Sequence, residues 1–218
     1  MPPIHTPLSS SLAFTALLTR LRDCSTPRAA FVATADRLCR LLAEAALGEF
    51  SRPAEVTSPT GALVQGRLLP NPELCAAVSV VRSGDALSAA FGSVEPAMHT
   101  GGKLLVQRDE ALAHKPAVFL LKKLPPGIAG CERVFLCDPM LASGGSAAVA
   151  IRELLESGVE EARIVLVCVV AAPEGLSHVG AAFPGVGIVV GCVDEALNDA
   201  RFIVPGLGDF GDRYFGTN

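Results

Sequence analysis

The apolar residues of this chain follow two kinds of pattern. Positions 75–81, 134–137 and 164–170 are short apolar runs with almost no polar residue inside them. Runs of that length without polar alternation predict strands buried on both faces, as in a parallel sheet covered by helices. Shorter runs at 104–106, 118–121, 186–190 and 202–204 predict further strands. Elsewhere the apolar residues recur at helical spacing. Leu12, Leu17, Leu18 and Leu21 mark a helix within 10–22. Phe31, Ala35, Leu38, Leu41, Leu42 and Ala45 mark a second helix, ending near Leu47. Ser25-Thr26 before Pro27 offers an N-cap with proline at the first helical position. Helices are also predicted over 86–91 and 147–157, the latter stopped by Gly158 as a C-cap.

Residues 1–8 carry neither pattern and read as a loose tail. Pro53, Ser58-Pro59 and Gly61 interrupt 52–64, which reads as an irregular hairpin. The strands at 104–106 and 118–121 can form a long hairpin. Strands alternating with helices predict an α/β fold. Its mostly parallel central sheet is flanked by helices, with N-terminal helices and a protruding β-hairpin. One domain then spans 1–218, with a helical addition over 1–50, a hairpin flap at about 102–123 and a C-terminal segment over 198–218.

Composition narrows the class. Half of the 218 residues are hydrophobic, yet aromatics are 5% and tryptophan is absent, so small aliphatic side chains must fill the core. The mean hydropathy of +0.44 is high for a soluble chain and points either to an unusually apolar surface or to surface buried in an oligomer. The apolar run at 164–172 is far short of the ~20 residues that span a bilayer. No basic region with an apolar core opens the chain, so a reducing, cytoplasmic setting is expected. The seven cysteines form no CxxC pair, and Cys137, Cys168 and Cys192 lie in apolar runs. Net charge is −4 with no basic block, which disfavours nucleic acid as a partner. His5, His99, His114 and His178 show no metal-ligand spacing, and no Ser-His-Asp or Cys-His signature appears.

Candidate chemistry concentrates in strand-to-helix turns at Arg82, Asp138 and Ala171. The middle one reads Asp138-Pro139-Met140-Leu141-Ala142-Ser143-Gly144-Gly145-Ser146. A glycine-bearing loop at a helix start offers backbone N–H groups and a positive dipole end to an anion. Asp138 sits at a strand's C-terminal end, where open α/β sheets bind ligands. It can accept hydrogen bonds from ribose hydroxyls, or serve only as a turn or capping residue. Arg82 and Arg108 can neutralise a diphosphate, or be surface arginines. The lysine of a GxxxxGK[ST] loop is missing, which excludes an ordinary nucleotide triphosphatase.

The residues 138–146 resemble the DPMLATGGS loop of uracil phosphoribosyltransferases, with Ser143 in place of threonine. Residues 171–175 are similar to that family's AAPEG turn, 205–217 to its PGLGDAGDRxFGT ending, and 194–198 to its DxGLN segment. Arg82-Ser83-Gly84 resembles its RAG turn, Arg108-Asp109-Glu110 its hairpin RDE, and 21–26 its LRDxxT stretch. The likeness runs from about residue 15 onward.

What the resemblance implies is a type I phosphoribosyltransferase fold and a pentosyltransferase activity. Uracil and 5-phospho-α-D-ribose 1-diphosphate (PRPP) would give UMP and diphosphate, with Mg²⁺ held mainly by PRPP and water. PRPP would contact Arg82, Arg108, Asp138, Pro139, Met140, Leu141, Ala142, Ser143, Gly144, Gly145, Ser146 and Asp209. Uracil would contact Ile203, Gly208, Asp209 and Phe210, largely through backbone groups. Asp138, Asp209 and Arg108 would be catalytic. A homodimer or homotetramer is implied, and GTP is an effector of some relatives. Phe210 stands where the motif has alanine, and is either a pocket wall or core. Asp85 adds a negative charge beside the expected diphosphate site. These two residues motivate a second reading, a weak or inactive relative acting as a nucleotide-binding regulatory subunit.

Overall fold

The computed structural model describes residues 3–108 and 117–217, the side chain of Arg108 excepted. β1 (Ile4–His5) leads into α1 (Leu12–Arg22) and α2 (Arg28–Glu49). The hairpin β2 (Arg52–Thr57) and β3 (Leu63–Leu68) follows. Then come β4 (Cys75–Val81), α3 (Gly84–Val94), β5 (His99–Arg108) and β6 (Ala117–Lys123). The second half runs β7 (Arg133–Cys137), β8 (Met140–Leu141), α4 (Gly145–Glu156), β9 (Ile164–Ala171) and α5 (Pro173–Ala182). It closes with β10 (Gly187–Val193), β11 (Ala196–Leu197), β12 (Ile203–Val204) and α6 (Phe210–Phe215).

The main sheet has the order β1-β10-β9-β7-β4-β5-β6. Its pairings are parallel except for β5 with β6, which form the expected long hairpin. The two-residue side-chain period divides the core in two. Ala77, Phe135, Val165, Val167 and Val189 face α1, α2 and α3 through Leu21, Leu42, Leu87 and Phe91. Val78, Leu136, Leu166, Cys168 and Val190 pack with Ala150, Ile151, Leu154 and Val179 of α4 and α5. Both faces are dry, which is why the strand sequences lack polar alternation.

Several expectations shift. The tail at 1–8 contains β1, whose backbone covers the edge of β10; a two-residue pairing leaves no side-chain pattern to read. The 52–64 hairpin is regular and extends to Leu68, with most of its residues exposed. Ser25 and Thr26 do not cap α2. The Ser25 hydroxyl donates to Asp23 and the Thr26 hydroxyl to the Arg20 carbonyl, so both close the α1–α2 turn. Pro27 itself occupies the cap position. The strand expected at 202–204 pairs with β11 in a small separate sheet. Among the described residues, no helix is long and apolar enough to cross a membrane.

Candidate active site

β4, β7, β9 and β10 run parallel, so the residues after their C-terminal ends share one edge of the sheet. Arg82, Asp138, Ala172 and Asp194 are those residues. After Cys137 the chain leaves β9, then returns to it as β8. The Pro139 carbonyl bridges the interruption by accepting from Val169 and Val170 N–H at 2.9 and 3.1 Å. The Asp138 N–H in turn donates to the Val167 carbonyl at 3.2 Å, so both residues stay fastened to β9. Asp138 is 7% exposed, and its Oδ1 lies 3.5 Å from the Met140 N–H.

Gly144 turns the chain into α4 at φ +83°, a left-handed conformation that glycine adopts without side-chain strain. The Ala148 N–H donates to the Gly144 carbonyl at 2.9 Å, which starts the helix there. The N–H groups of a helix's first turn have no partner within the helix. Ser143 to Ser146 therefore lie where the positive end of the α4 dipole and its unpaired first-turn N–H groups face outward.

The Arg82 turn lies directly against this loop's strand. A Cβ on Gly84 would sit 2.1 Å from the Cys137 carbonyl oxygen, so the start of α3 abuts the end of β7. Arg82 reaches the C-terminal segment, with Nη2 at 3.3 Å from both Asp212 Oδ1 and Thr217 Oγ1. Its guanidinium also covers the Phe215 ring at 5.6 Å. Arg108 ends β5 with its backbone paired to Ala117. Its side chain, and Asp109 and Glu110, lie outside the described residues.

Asp209 caps α6, its Oδ1 accepting from the Asp212 N–H at 2.9 Å. Gly208, at φ +79°, precedes it, and Ile203 is buried in β12. The Phe210 ring is 1% exposed. It packs edge-on to Phe31 at 5.6 Å and stacks on Tyr214 at 5.7 Å. Of the two readings of Phe210, the structure selects core. Phe210→Ala is expected to cost about 3–5 kcal/mol, measurable by denaturant unfolding. Asp85 is also accounted for: its Oδ1 accepts from Ser79 Oγ and Lys103 Nζ, both at 2.6 Å. The charge that looked adverse is an ion-pair partner within the fold.

Asp212 and Arg213 do not form the pair that their adjacency suggests. Arg213 instead donates to the carbonyls of Leu21, Leu207 and Asp23 and covers the Phe31 ring at 4.3 Å. Tyr214 donates to Asp36 at 2.7 Å, and burial, reinforced by that bond, pushes its phenol up.

Sequence reasoning left Arg22 and Asp194 without a role beyond their places in the LRDxxT-like and DxGLN-like segments. Arg22 Nη2 lies 2.5 Å from Asp194 Oδ1, and Nη1 lies 2.8 Å from Oδ2. Burial works to raise the Asp194 carboxyl. The Arg22 bonds and the Gly206 N–H outweigh it and hold the group below the usual carboxylate range. Arg22 and the Cys192 thiol are the ionisable groups that face it. A depressed carboxylate contributes stability above its unfolded-state pKa, and that contribution fades as pH falls through the folded value. Thermal unfolding from pH 6 down to 2 should lose part of its acid sensitivity in Asp194→Asn.

Two cavities lie away from the 138–146 loop. One, of about 940 Å³, is at the opposite sheet edge near Arg52, Arg133 and Arg163. The other, of about 480 Å³, lies between α1 and β10.

A family model described as "Uracil phosphoribosyltransferase" matches residues 8–217. The uracil phosphoribosyltransferase of Dictyostelium discoideum is 40% identical over 96% of this chain and 95% of its own. That of Saccharomyces cerevisiae is 39% identical over 91% and 90%. Among solved structures, the AQ2163 protein from Aquifex aeolicus superposes with a TM-score of 0.80 at 30% identity, covering 99% of each chain. The parallel sheet, the long hairpin and the 138–146 loop make this a phosphoribosyltransferase of the type I fold. Within that class, the chain belongs to the uracil phosphoribosyltransferase family.

Proposed function

We propose that the chain transfers the phosphoribosyl group of PRPP to N1 of uracil, forming UMP and releasing diphosphate. The observation that carries this is the single sheet edge joining a helix-start anion cradle, a strand-end aspartate and the Gly208-Asp209 turn. The first-turn N–H groups at Ser143 to Ser146 hold the 5-phosphate. Asp138 accepts from the ribose hydroxyls, and its charge stabilises the cationic ribose as the C1–oxygen bond loosens. Arg82 neutralises the departing diphosphate, exchanging its Asp212 contact for phosphate oxygens. Arg108 does the same from the hairpin, which closes over the substrates and excludes water. Backbone groups around Ile203 and Gly208 hold uracil with N1 facing C1.

Mg²⁺ fits as an ion carried mainly by the substrate. Among the described residues no group of three or more His, Cys, Asp or Glu is placed to hold a metal. Mg²⁺ at phosphate sites needs only one or two carboxylates, with waters and phosphate oxygens completing its shell. Asp138 and Asp209 are the carboxylates at this edge suited to that contact. When bound, the ion neutralises diphosphate charge.

Incubation with uracil, PRPP and Mg²⁺ should yield UMP, while no product with any base would reject the enzyme reading. The regulatory-subunit reading loses its two motivating residues, since Phe210 is core and Asp85 pairs with Lys103. Oligomerisation is supported by the exposed Val56, Leu63, Val64 and Leu68 on β2 and β3. Light scattering that shows only monomer would remove it. A cytoplasmic setting rests on the scattered, unpaired cysteines, and GTP as an effector on the resemblance; added GTP should raise the rate of UMP formation.

A further inference from the structure

Uracil is read here largely by backbone groups, so its affinity depends on how firmly the loop from Ile203 to Asp209 is held. The firmest hold comes from the other end of the chain. Arg22 Nη1 donates to the Gly206 carbonyl at 2.7 Å as well as to Asp194 Oδ2 at 2.8 Å. The same Oδ2 accepts from the Gly206 N–H at 2.9 Å. Both polar groups of residue 206 are thus clamped, the N–H by Asp194 and the carbonyl by Arg22. The Asp194 side chain is 3% exposed, so the clamp is shielded from competing water. Only a planar guanidinium can address two carboxylate oxygens and a carbonyl together. Arg22 contacts Asp194, Gly206 and Cys192 rather than the 138–146 loop. A separate anchor acts in the same sense, Arg213 tying the Leu207 carbonyl to those of Leu21 and Asp23.

We infer that Arg22 is a positioning residue for the pyrimidine loop, acting through Asp194 and Gly206, so that α1 sets affinity for the base and not for PRPP. The inference rests on the phosphoribosyltransfer reading. It makes the N-terminal helix a working part of the base site rather than an addition to the fold.

Steady-state kinetics on the wild type, Arg22→Lys and Asp194→Asn, with uracil and PRPP varied separately, test it. Each variant should raise KM for uracil about tenfold or more, the scale of one hydrogen bond to a charged group. KM for PRPP should rise several-fold less, because the 138–146 cradle is untouched and Asp209 alone of this loop meets PRPP. Equal rises in both constants, or no rise in either, would overturn the inference. Should both variants fail to fold by circular dichroism, hydrogen exchange on the wild type decides. Saturating UMP should slow exchange at 19–24 and at 205–209 together, and slowing confined to 203–210 would overturn the inference. A wild-type protein that makes no UMP would reject the reading beneath it, an outcome distinct from active enzyme without the split in KM.

Discussion

Asp138→Asn should lower kcat for UMP formation by about 10²–10³-fold, the scale of removing one preorganised electrostatic interaction from a transition state. The substitution keeps the side chain's shape. It removes the negative charge proposed to face the ribose as C1 gains positive character. Because that charge matters most when the C1–oxygen bond is stretched, kcat and kcat/KM should fall together, with KM for PRPP little changed. The fold should survive. The Pro139 carbonyl bonds to Val169 and Val170 hold the loop independently of the carboxylate. Near-wild-type turnover in a folded variant would reject the role given to Asp138. A change in melting temperature without a change in rate would make Asp138 a structural residue only.

Gly84→Ala should injure stability and donor binding at once. The added methyl would fall 2.1 Å from the Cys137 carbonyl oxygen and 3.0 Å from Ser79 Oγ. A backbone carbonyl in a central strand cannot step aside, so α3 must move instead. Overpacking of this kind costs about 1–3 kcal/mol or more. For a domain of this size each kcal/mol lowers the melting temperature by about 2–4 °C. The displacement also carries Arg82 and Ser83 away from the 138–146 loop. KM for PRPP should therefore rise about tenfold while KM for uracil moves less. Differential scanning calorimetry and initial rates read the two effects. An alanine variant that melts like wild type would show that the two turns are not in contact.

The central strands were legible because burial on both faces leaves an unambiguous mark. The run Cys75–Val81 matches β4 at both ends, and Ile164 opens β9 as read. The shape of the 138–146 loop was legible because it is local: its strand end, glycine turn and helix start are nearly consecutive. What escaped is non-local or backbone-borne. Arg22 and Asp194 lie 172 positions apart, and neither residue type signals a partner at that range. β1 is a backbone pairing. Phe210 could not be assigned from its neighbours, since its packing partner Phe31 comes from α2. Asp212 and Arg213 are adjacent in sequence but diverge on a short helix, each finding a distant partner.

The seat of the C-terminal segment is made early in the chain. Arg28 Nε donates to the Tyr214 carbonyl at 3.0 Å, Tyr214 reaches Asp36, and Arg213 reaches Leu21 and Asp23. During synthesis α1 and α2 are made before α3 and the sheet strands they pack on, and long before the C-terminal segment they seat. Phe31 lacks the Phe210 ring and the Arg213 guanidinium that cover it until that segment is made. A nascent chain of this protein can complete its phosphate cradle well before its base site. Stalled or nicked molecules that lack the last fifteen or so residues should then hold PRPP while failing to select a base.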